Sequence, residues 1–266
     1  MAETLFIINP TAARGTTLHK WGEAKRELLQ LGIQASERVT TRPGEATQLT
    51  REAIKQGVVR IVAVGGDGTL NEVINGYLDG AGQPLNGSVA IGLLPSGTGS
   101  DFRRSIGLTR REQPLWALMR QDTRWIDAGF AEFKDVNGAR CSRFFINVAT
   151  FGLGGDTSAR VNAWRGKLPK WIGGRVRFLA AAISALRKYR NVSTQVLLDD
   201  GRKYDIASNL MVVANGRFAG GGMMLAPNAA LDDGLFDIVL ANDATRLDVI
   251  CELPRIQRGG YIHHPK

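Results

Sequence analysis

The sequence predicts an α/β domain built on a parallel, Rossmann-like sheet, followed by a β-rich domain. Three observations predict it. The run Arg60-Ile61-Val62-Ala63-Val64 is β-branched and too short for a helix, so it reads as a buried strand. It leads into Gly65-Gly66-Asp67-Gly68-Thr69-Leu70-Asn71-Glu72, after which Leu70, Val73, Ile74 and Tyr77 recur at helical spacing. Strands and helices alternate in this way over residues 1–126, which implies parallel βαβ units. From residue 127 to 266 the pattern changes to short strands separated by turns, and this marks a second domain.

Taken in order, Leu5–Ile8 is the first strand and Asn9–Gly15 a loop in which Pro10 blocks strand continuation. A helix follows with Leu18, Trp21, Leu28 and Leu31 on one side, stopped by Gly32. Residues 33–40 are a second strand, and Pro43-Gly44 turns the chain into a helix over Glu45–Gln56, ended by Gly57. After the central octet, Val89–Leu94 is a strand, and Pro95–Phe102 is again a small-residue loop. Residues 112–120 read as a helix and Arg124–Glu132 as a strand. In the second half Phe144–Ala149, Thr194–Leu198, Asn209–Ala214 and Phe236–Leu240 read as strands. Turns at Asp199-Asp200-Gly201 and Asp232-Asp233-Gly234 separate some of them, and one helix, 174–189, interrupts them.

In a sheet of βαβ units the ligand sits outside the carboxyl ends of the strands. The loops Asn9–Gly15, Gly65–Thr69 and Pro95–Asp101 therefore converge. A glycine turn lets backbone N–H groups approach a phosphate, and the helix behind it adds partial positive charge. The pattern is neither a Walker A loop nor a clean G-x-G-x-x-G. Asp67 is unusual here, because an acid among phosphate-binding amides repels a bare phosphate. It makes sense if it holds Mg²⁺ through water or acts on a hydroxyl near a transferred phosphoryl group. Asp101 and Asp127 are further acids expected near this sheet edge, with a structural role equally open.

Composition limits the alternatives. The 266 residues include 44% hydrophobic residues, enough for one large or two ordinary cores, and 32 glycines, in keeping with several glycine-built loops. Two cysteines, Cys141 and Cys251, form no disulfide framework and predict a cytoplasmic setting. The N-terminus does not read as a signal peptide. The longest apolar run, Phe178–Leu186, is about half of the ~20 residues that span a bilayer. The net charge of +9 favours an anionic partner. His19, His263 and His264 do not form a metal cluster by their spacing.

At this point several motifs carry a resemblance. Gly65–Thr69 with Asn71-Glu72 resembles the nucleotide loop of the diacylglycerol kinase catalytic-domain family. The bacterial soluble lipid kinases are nearest, with sphingosine, ceramide and, more distantly, NAD kinases as relatives. Asn9-Pro10 resembles the family's first phosphate loop, and Pro95–Phe102 its P-x-G-T-x-N-D-F segment. Asn215-Gly216-Arg217, Gly220-Gly221-Gly222, Ala226–Ala229 and Asp232–Leu235 resemble its second-domain signature. The resemblance implies an α/β nucleotide domain followed by a β-sandwich that takes the lipid. It implies an ATP-dependent kinase acting with Mg²⁺ on the hydroxyl of diacylglycerol or a related lipid, hence a place in phospholipid metabolism. Carried over by position, Asn9, Thr40, Gly66, Asp67, Gly68, Thr69, Leu70, Asn71, Glu72 and Thr98 would contact ATP. Asp233 would bind Mg²⁺, with main-chain oxygens of Ala230 and Leu235.

Two departures follow. Ser100 stands where the family has Asn, so that loop is held differently. The family's general base, an Asp in a late D-G-E segment, has no counterpart after Leu235, which reads as a chain truncated at its C-terminus. The general base is left unassigned by these residues, and Asp67 stands as the catalytic candidate of the central loop, with Asp101 and Asp127 as weaker ones. Residues 160–190 hold nine Lys or Arg and no acid, interleaved with Trp164, Trp171, Phe178 and Tyr189. This composition resembles a peripheral contact with an anionic membrane; no nucleic-acid module is recognised, and a homodimer stays open. Two other functions stay open as well: a NAD kinase-like enzyme with a soluble acceptor, and a nucleotide-binding module without catalysis.

Overall fold

The computed structural model describes residues 4–32, 35–96, 100–108, 123–164, 173–187 and 190–264. The chain divides into two compact units, Met1–Ile146 and Asn147–Lys266.

The first unit begins with β1 (Thr4–Ile8), a short 3-10 turn (Ala12–Gly15), α1 (Thr17–Gln30) and β2 (Ser36–Val39). It continues with α2 (Glu45–Lys55), β3 (Arg60–Gly65), α3 (Asp67–Tyr77), β4 (Ala90–Pro95) and the single turn α4 (Phe102–Ser105). The sheet order is β2-β1-β3-β4, with every neighbouring pair parallel. β1 and β3 are the inner strands, and Phe6 to Ile8 and Ile61 to Val64 are buried without alternation. That is the pattern of a sheet covered on both faces.

On one face Phe6, Ile8, Val62, Val64 and Leu94 pack with Trp21, Ala24 and Leu28 of α1. The rings of Phe6 and Trp21 lie 4.6 Å apart. Burying each such large side chain contributes about 1.5–3 kcal/mol. The buried stripe of α1 is Thr17, Trp21, Ala24 and Leu28, whereas Leu18 is 48% and Leu31 39% exposed. The predicted face was thus right at Trp21 and Leu28 and wrong at Leu18 and Leu31. Small residues at i+4 and i+3 spacing, Thr17 and Ala24, complete it instead.

α2 and α3 pack together through a glycine. A Cβ on Gly76 would stand 2.4 Å from the Thr47 carbonyl oxygen, so any larger residue would push the helices apart. The predicted strand at 124–132 lies instead at β5 (Gly129–Lys134), which pairs antiparallel with β6 (Arg140–Phe145). Asn75 of α3 anchors this hairpin: its Oδ1 accepts from Phe144 N at 3.0 Å and its Nδ2 donates to Phe144 O at 3.0 Å. One amide side chain replaces a strand partner for Phe144. The hairpin therefore belongs to the first unit, and the division falls at Ile146.

The second unit starts with β7 (Val148–Gly152) and α5 (Leu153–Ala163), then α6 (Gly174–Leu186), β8 (Val192–Leu197) and the long β9 (Lys203–Ala214). The two-residue strands β10 (Phe218–Ala219) and β11 (Met223–Met224) pair across three glycines. β12 (Asp237–Asn242) and α7 (Arg246–Ile256) follow. β9 is central: it pairs antiparallel with β7, β8 and β12. Val212, Ala214, Ala226 and Ala229 form a core on one side.

Two expectations need correction here. The predicted strand Phe144–Ala149 is two strands, β6 and β7, broken at Ile146-Asn147 and placed in different sheets. The β-rich half also carries three helices among the described residues, α5, α6 and α7, rather than one. The predicted helix over 112–120 lies outside the described residues, as do residues 33–34 of the predicted strand 33–40 and residues 188–189 of the predicted helix 174–189. Among the described residues no helix is long and apolar enough to cross a membrane.

Candidate functional site

The loops after β1, β3 and β4 leave the carboxyl ends of three adjacent strands, so the parallel sheet itself brings them together. Side chains then lock them. Asn9 Nδ2 donates to Thr69 Oγ1 at 3.0 Å, and Asn9 Oδ1 accepts from Thr11 N at 3.0 Å and Thr11 Oγ1 at 2.8 Å. Thr69 needs the glycine before it, because a Cβ on Gly65 would stand 2.4 Å from Thr69 Oγ1.

α3 begins at Asp67, two residues before the Thr69 of the sequence pattern, with Gly66 as an extended N-cap that offers no side-chain cap. The N–H groups of Asp67, Gly68 and Thr69 lie in the first turn, where no preceding carbonyl can accept them within the helix. Donors in that arrangement suit an anion, with the helix dipole adding to them.

Asp67 does not present a bare carboxylate. Its Oδ2 accepts from Asp101 N at 2.8 Å and its Oδ1 from Phe102 N at 3.1 Å, so it ties the β3 loop to the β4 loop. Burial pushes its carboxyl above the usual aspartate range. The two N–H groups and the positive charges of Arg104 and Arg103 work against that rise. Each oxygen keeps a further lone pair that can accept from a hydroxyl or a metal-held water. Asp101 is itself buried, and its Oδ1 accepts from Arg104 Nη1 at 2.6 Å.

The remaining predicted contacts divide into groups. Thr40 continues the β1–β2 ladder, donating to Ile8 O from N at 2.9 Å and from Oγ1 at 3.3 Å. Leu70 is buried in the core, so only its backbone faces the loops, and its N–H already bonds Gly66 O at 3.1 Å. The Asn71 amide, oriented to satisfy both neighbours, donates to Phe144 O and accepts from Arg143 Nε, each at 3.0 Å. Its side chain is thus turned to β6. The Glu72 carbonyl accepts from Thr47 Oγ1 at 2.8 Å. Thr98 lies outside the described residues. Ser100 is buried with its Oγ unpartnered among the described residues. Asp127 lines a cavity of about 620 Å³ with Leu70, Phe102 and Trp125. His19 is exposed beside Glu23, and His264 lies 4.0 Å from Glu252.

The sequence pattern missed three residues that hold this site. Thr17 Oγ1 and Ser96 Oγ lie 3.0 Å apart and buried, and Lys20 Nζ donates to Ser96 O at 2.7 Å. Thr17 could have been found from the i+4 stripe that it shares with Trp21; Ser96 lies in a loop already expected at the site, though not with this role, and nothing in the sequence marks Lys20.

In the second unit Asp233 Oδ1 accepts from Leu235 N at 3.0 Å, across a turn in which Gly234 has φ of 72°. Asp237 is pushed above the usual aspartate range by burial and by the charge of Asp233, while Arg217 opposes the rise. Tyr261, hydrogen-bonded to Leu225 O, is pushed up to about 12 by burial and by Asp237. The Asp233 carboxylate, with the main-chain oxygens expected from Ala230 and Leu235, would make an oxygen-only set of the kind a hard cation such as Mg²⁺ takes. A divalent ion there would also relieve the Asp233–Asp237 repulsion. Among the described residues no cluster of three His, Cys, Asp or Glu offers an alternative metal site.

Glycine loops and helix N-termini at the carboxyl edge of a parallel sheet define the class: an α/β domain suited to nucleotide phosphates. Residues 3–131 match the diacylglycerol kinase catalytic domain, and residues 148–266 match the YegS C-terminal NAD kinase beta sandwich-like domain. The chain is 30% identical over 265 residues to "Probable lipid kinase YegS-like" of Chromohalobacter salexigens, covering 97% of this chain and 78% of that one. It is 30% identical over 270 residues to the diacylglycerol kinase of Bacillus subtilis, covering 99% and 81%. A crystal structure of a diacylglycerol kinase from Bacillus anthracis shares the fold, with a TM-score of 0.64 and 21% identity over 97% of this chain and 76% of that one. The chain belongs to the diacylglycerol kinase catalytic-domain family, with a YegS-type β-sandwich-like second domain. The kinase domains imply the use of ATP.

Proposed function

We propose that the chain transfers the γ-phosphoryl group of ATP to the hydroxyl of a lipid, with diacylglycerol or a related lipid as acceptor. The observation that carries this reading is the locking of three loops at one sheet edge, through Asn9–Thr69 and Asp67–Asp101. Phosphoryl transfer depends mainly on positioning and charge neutralisation, and pre-tied loops supply the first. The names of the relatives support a lipid acceptor.

In this reading the first-turn N–H groups of α3 hold phosphate oxygens, and Asn9 fixes Thr69 beside them. Asp67 acts on the acceptor hydroxyl: its carboxyl is pushed up by burial, which makes it a better proton acceptor than an exposed aspartate. Its bonds to Asp101 N and Phe102 N keep it from swinging toward the phosphates. Asp233, Ala230 and Leu235 would hold Mg²⁺, which when bound neutralises negative charge.

The basic segment 160–190 supports a peripheral contact with an anionic membrane from the cytoplasmic side. Its described part includes Arg160, whose Nη1 donates to Ser184 Oγ at 3.4 Å, and Arg187 and Arg190, both exposed. Lys167, Lys170, Trp171, Lys188 and Tyr189 lie outside the described residues.

The test is transfer of labelled γ-phosphate from ATP, with Mg²⁺, into a panel of lipids in mixed micelles, with NAD as a soluble acceptor. Label in a lipid supports the proposal. Label in NAD alone, or none while ATP binds, overturns it in favour of a soluble acceptor or a binding module respectively.

A further inference from the structure

Lys20 belongs to the first turn of α1, whose N-terminus carries no acidic residue. A cation in that position opposes the helix dipole and is unfavourable unless an anion lies nearby. Its ammonium is nevertheless held at the sheet edge. Lys20 Nζ donates to Ser96 O at 2.7 Å, and Ser96 is anchored twice, by its Oγ to Thr17 Oγ1 at 3.0 Å and by its N–H to Gly65 O at 3.0 Å. The ammonium thus stands beside the residue that bonds directly to the start of the Gly65–Thr69 loop. An ammonium has three donors, and Ser96 O uses one.

The charges around it point the same way. Two acids, Asp67 and Asp101, stand at this edge, and Arg104 is committed to Asp101 at 2.6 Å. A nucleotide polyphosphate entering here needs a positive charge that is not already paired with a carboxylate. Lys20 supplies one, on a residue that stays solvent-exposed and so remains open to a ligand.

We propose that Lys20 is a phosphate-contacting residue of the nucleotide site, held in place by the Ser96 carbonyl and aimed at the polyphosphate that the Gly65–Thr69 loop binds. The inference rests on the ATP reading of that loop. Lys20 is a binding residue in this scheme, with no part in proton transfer.

The experiment is calorimetric or fluorescence titration of ATP, ADP and adenosine into the wild type, Lys20→Met and Lys20→Arg, with a thermal melt of each protein without nucleotide. A charge-assisted hydrogen bond contributes about tenfold or more in affinity. Lys20→Met is expected to weaken ATP and ADP by about tenfold or more and to leave adenosine and the melt unchanged, with Lys20→Arg recovering part of the loss. Equal ATP affinity in Lys20→Met would overturn the proposal while leaving the ATP reading intact. An equal loss for adenosine, or a lowered melt, would show that Lys20 only braces Ser96. No binding of ATP to the wild type would remove the nucleotide reading and the proposal with it.

Discussion

Asn9 Nδ2 donates to Thr69 Oγ1 at 3.0 Å, joining residues 60 positions apart in the chain. The bond connects the end of β1 to the first turn of α3, across neighbouring parallel strands. Thr69→Val keeps the shape and removes the hydroxyl, leaving a part-buried amide donor unpaired. We expect it to cost about 1–3 kcal/mol of stability and to raise the KM for ATP more than it lowers kcat. Asn9→Ala should do the same, and the two changes should be less than additive in a double-mutant cycle. Additive losses would mean that the two side chains act separately.

Asp67 predicts a dependence on pH. Its folded carboxyl is raised by burial, so the folded state holds its proton more tightly than the unfolded chain does. The stabilising effect of protonation is fully present below the ordinary aspartate value of about 3.9, and is lost as pH rises through the raised one. Thermal melts over that window should show a falling contribution that Asp67→Asn removes. Asp67→Ala should abolish phosphoryl transfer and also loosen the β4 loop where it ends at Asp101; near-normal turnover would exclude a chemical role.

Gly76→Ala tests packing apart from chemistry. The added methyl would stand 2.4 Å from Thr47 O and 2.7 Å from Thr50 Cβ, which forces α2 and α3 apart. Overpacking of this kind costs about 1–3 kcal/mol. The melting temperature should fall, while ATP affinity measured well below it stays at the wild-type value.

Asp233→Asn tests the oxygen-only turn. If Asp233 holds Mg²⁺, saturating Mg²⁺ at about 100 times its Kd stabilises the wild type by about 2.7 kcal/mol, and the variant should lose that increment. Equal Mg²⁺-dependent shifts in both proteins would remove Asp233 as a ligand.

Much of the first domain was legible because its signals are local. β-branched runs, the glycine stops and the strand-turn-helix at Gly65 are written in neighbouring residues. The exposed Leu18 and Leu31 show the limit: apolar residues on α1 do not announce which of them the sheet will cover. α5 escaped because Gly154 and Gly155 dilute its helical pattern, and α7 because Pro254 sits within it. A signal for α7 was present, since Thr245 and Asp248 form a capping box. The break at Ile146-Asn147 was hidden, because six residues of strand-like composition carry no mark of which sheet each half will join.

By itself the sequence determined the class of fold and the edge where the loops meet, since alternating βαβ units place those loops at the carboxyl ends of their strands. It also determined the family, through motifs spread along the chain. Only the tertiary structure decided what each polar group does there. Asp67 became a tie between loops because the Asp101 and Phe102 amides reach it, and Asn71 turned to β6 because Arg143 and Phe144 lie beside it. Lys20 reached the site because Ser96 holds out a carbonyl 76 residues away in sequence. Hydrogen bonds between distant residues depend on where the backbone has already been placed, and no local pattern encodes that.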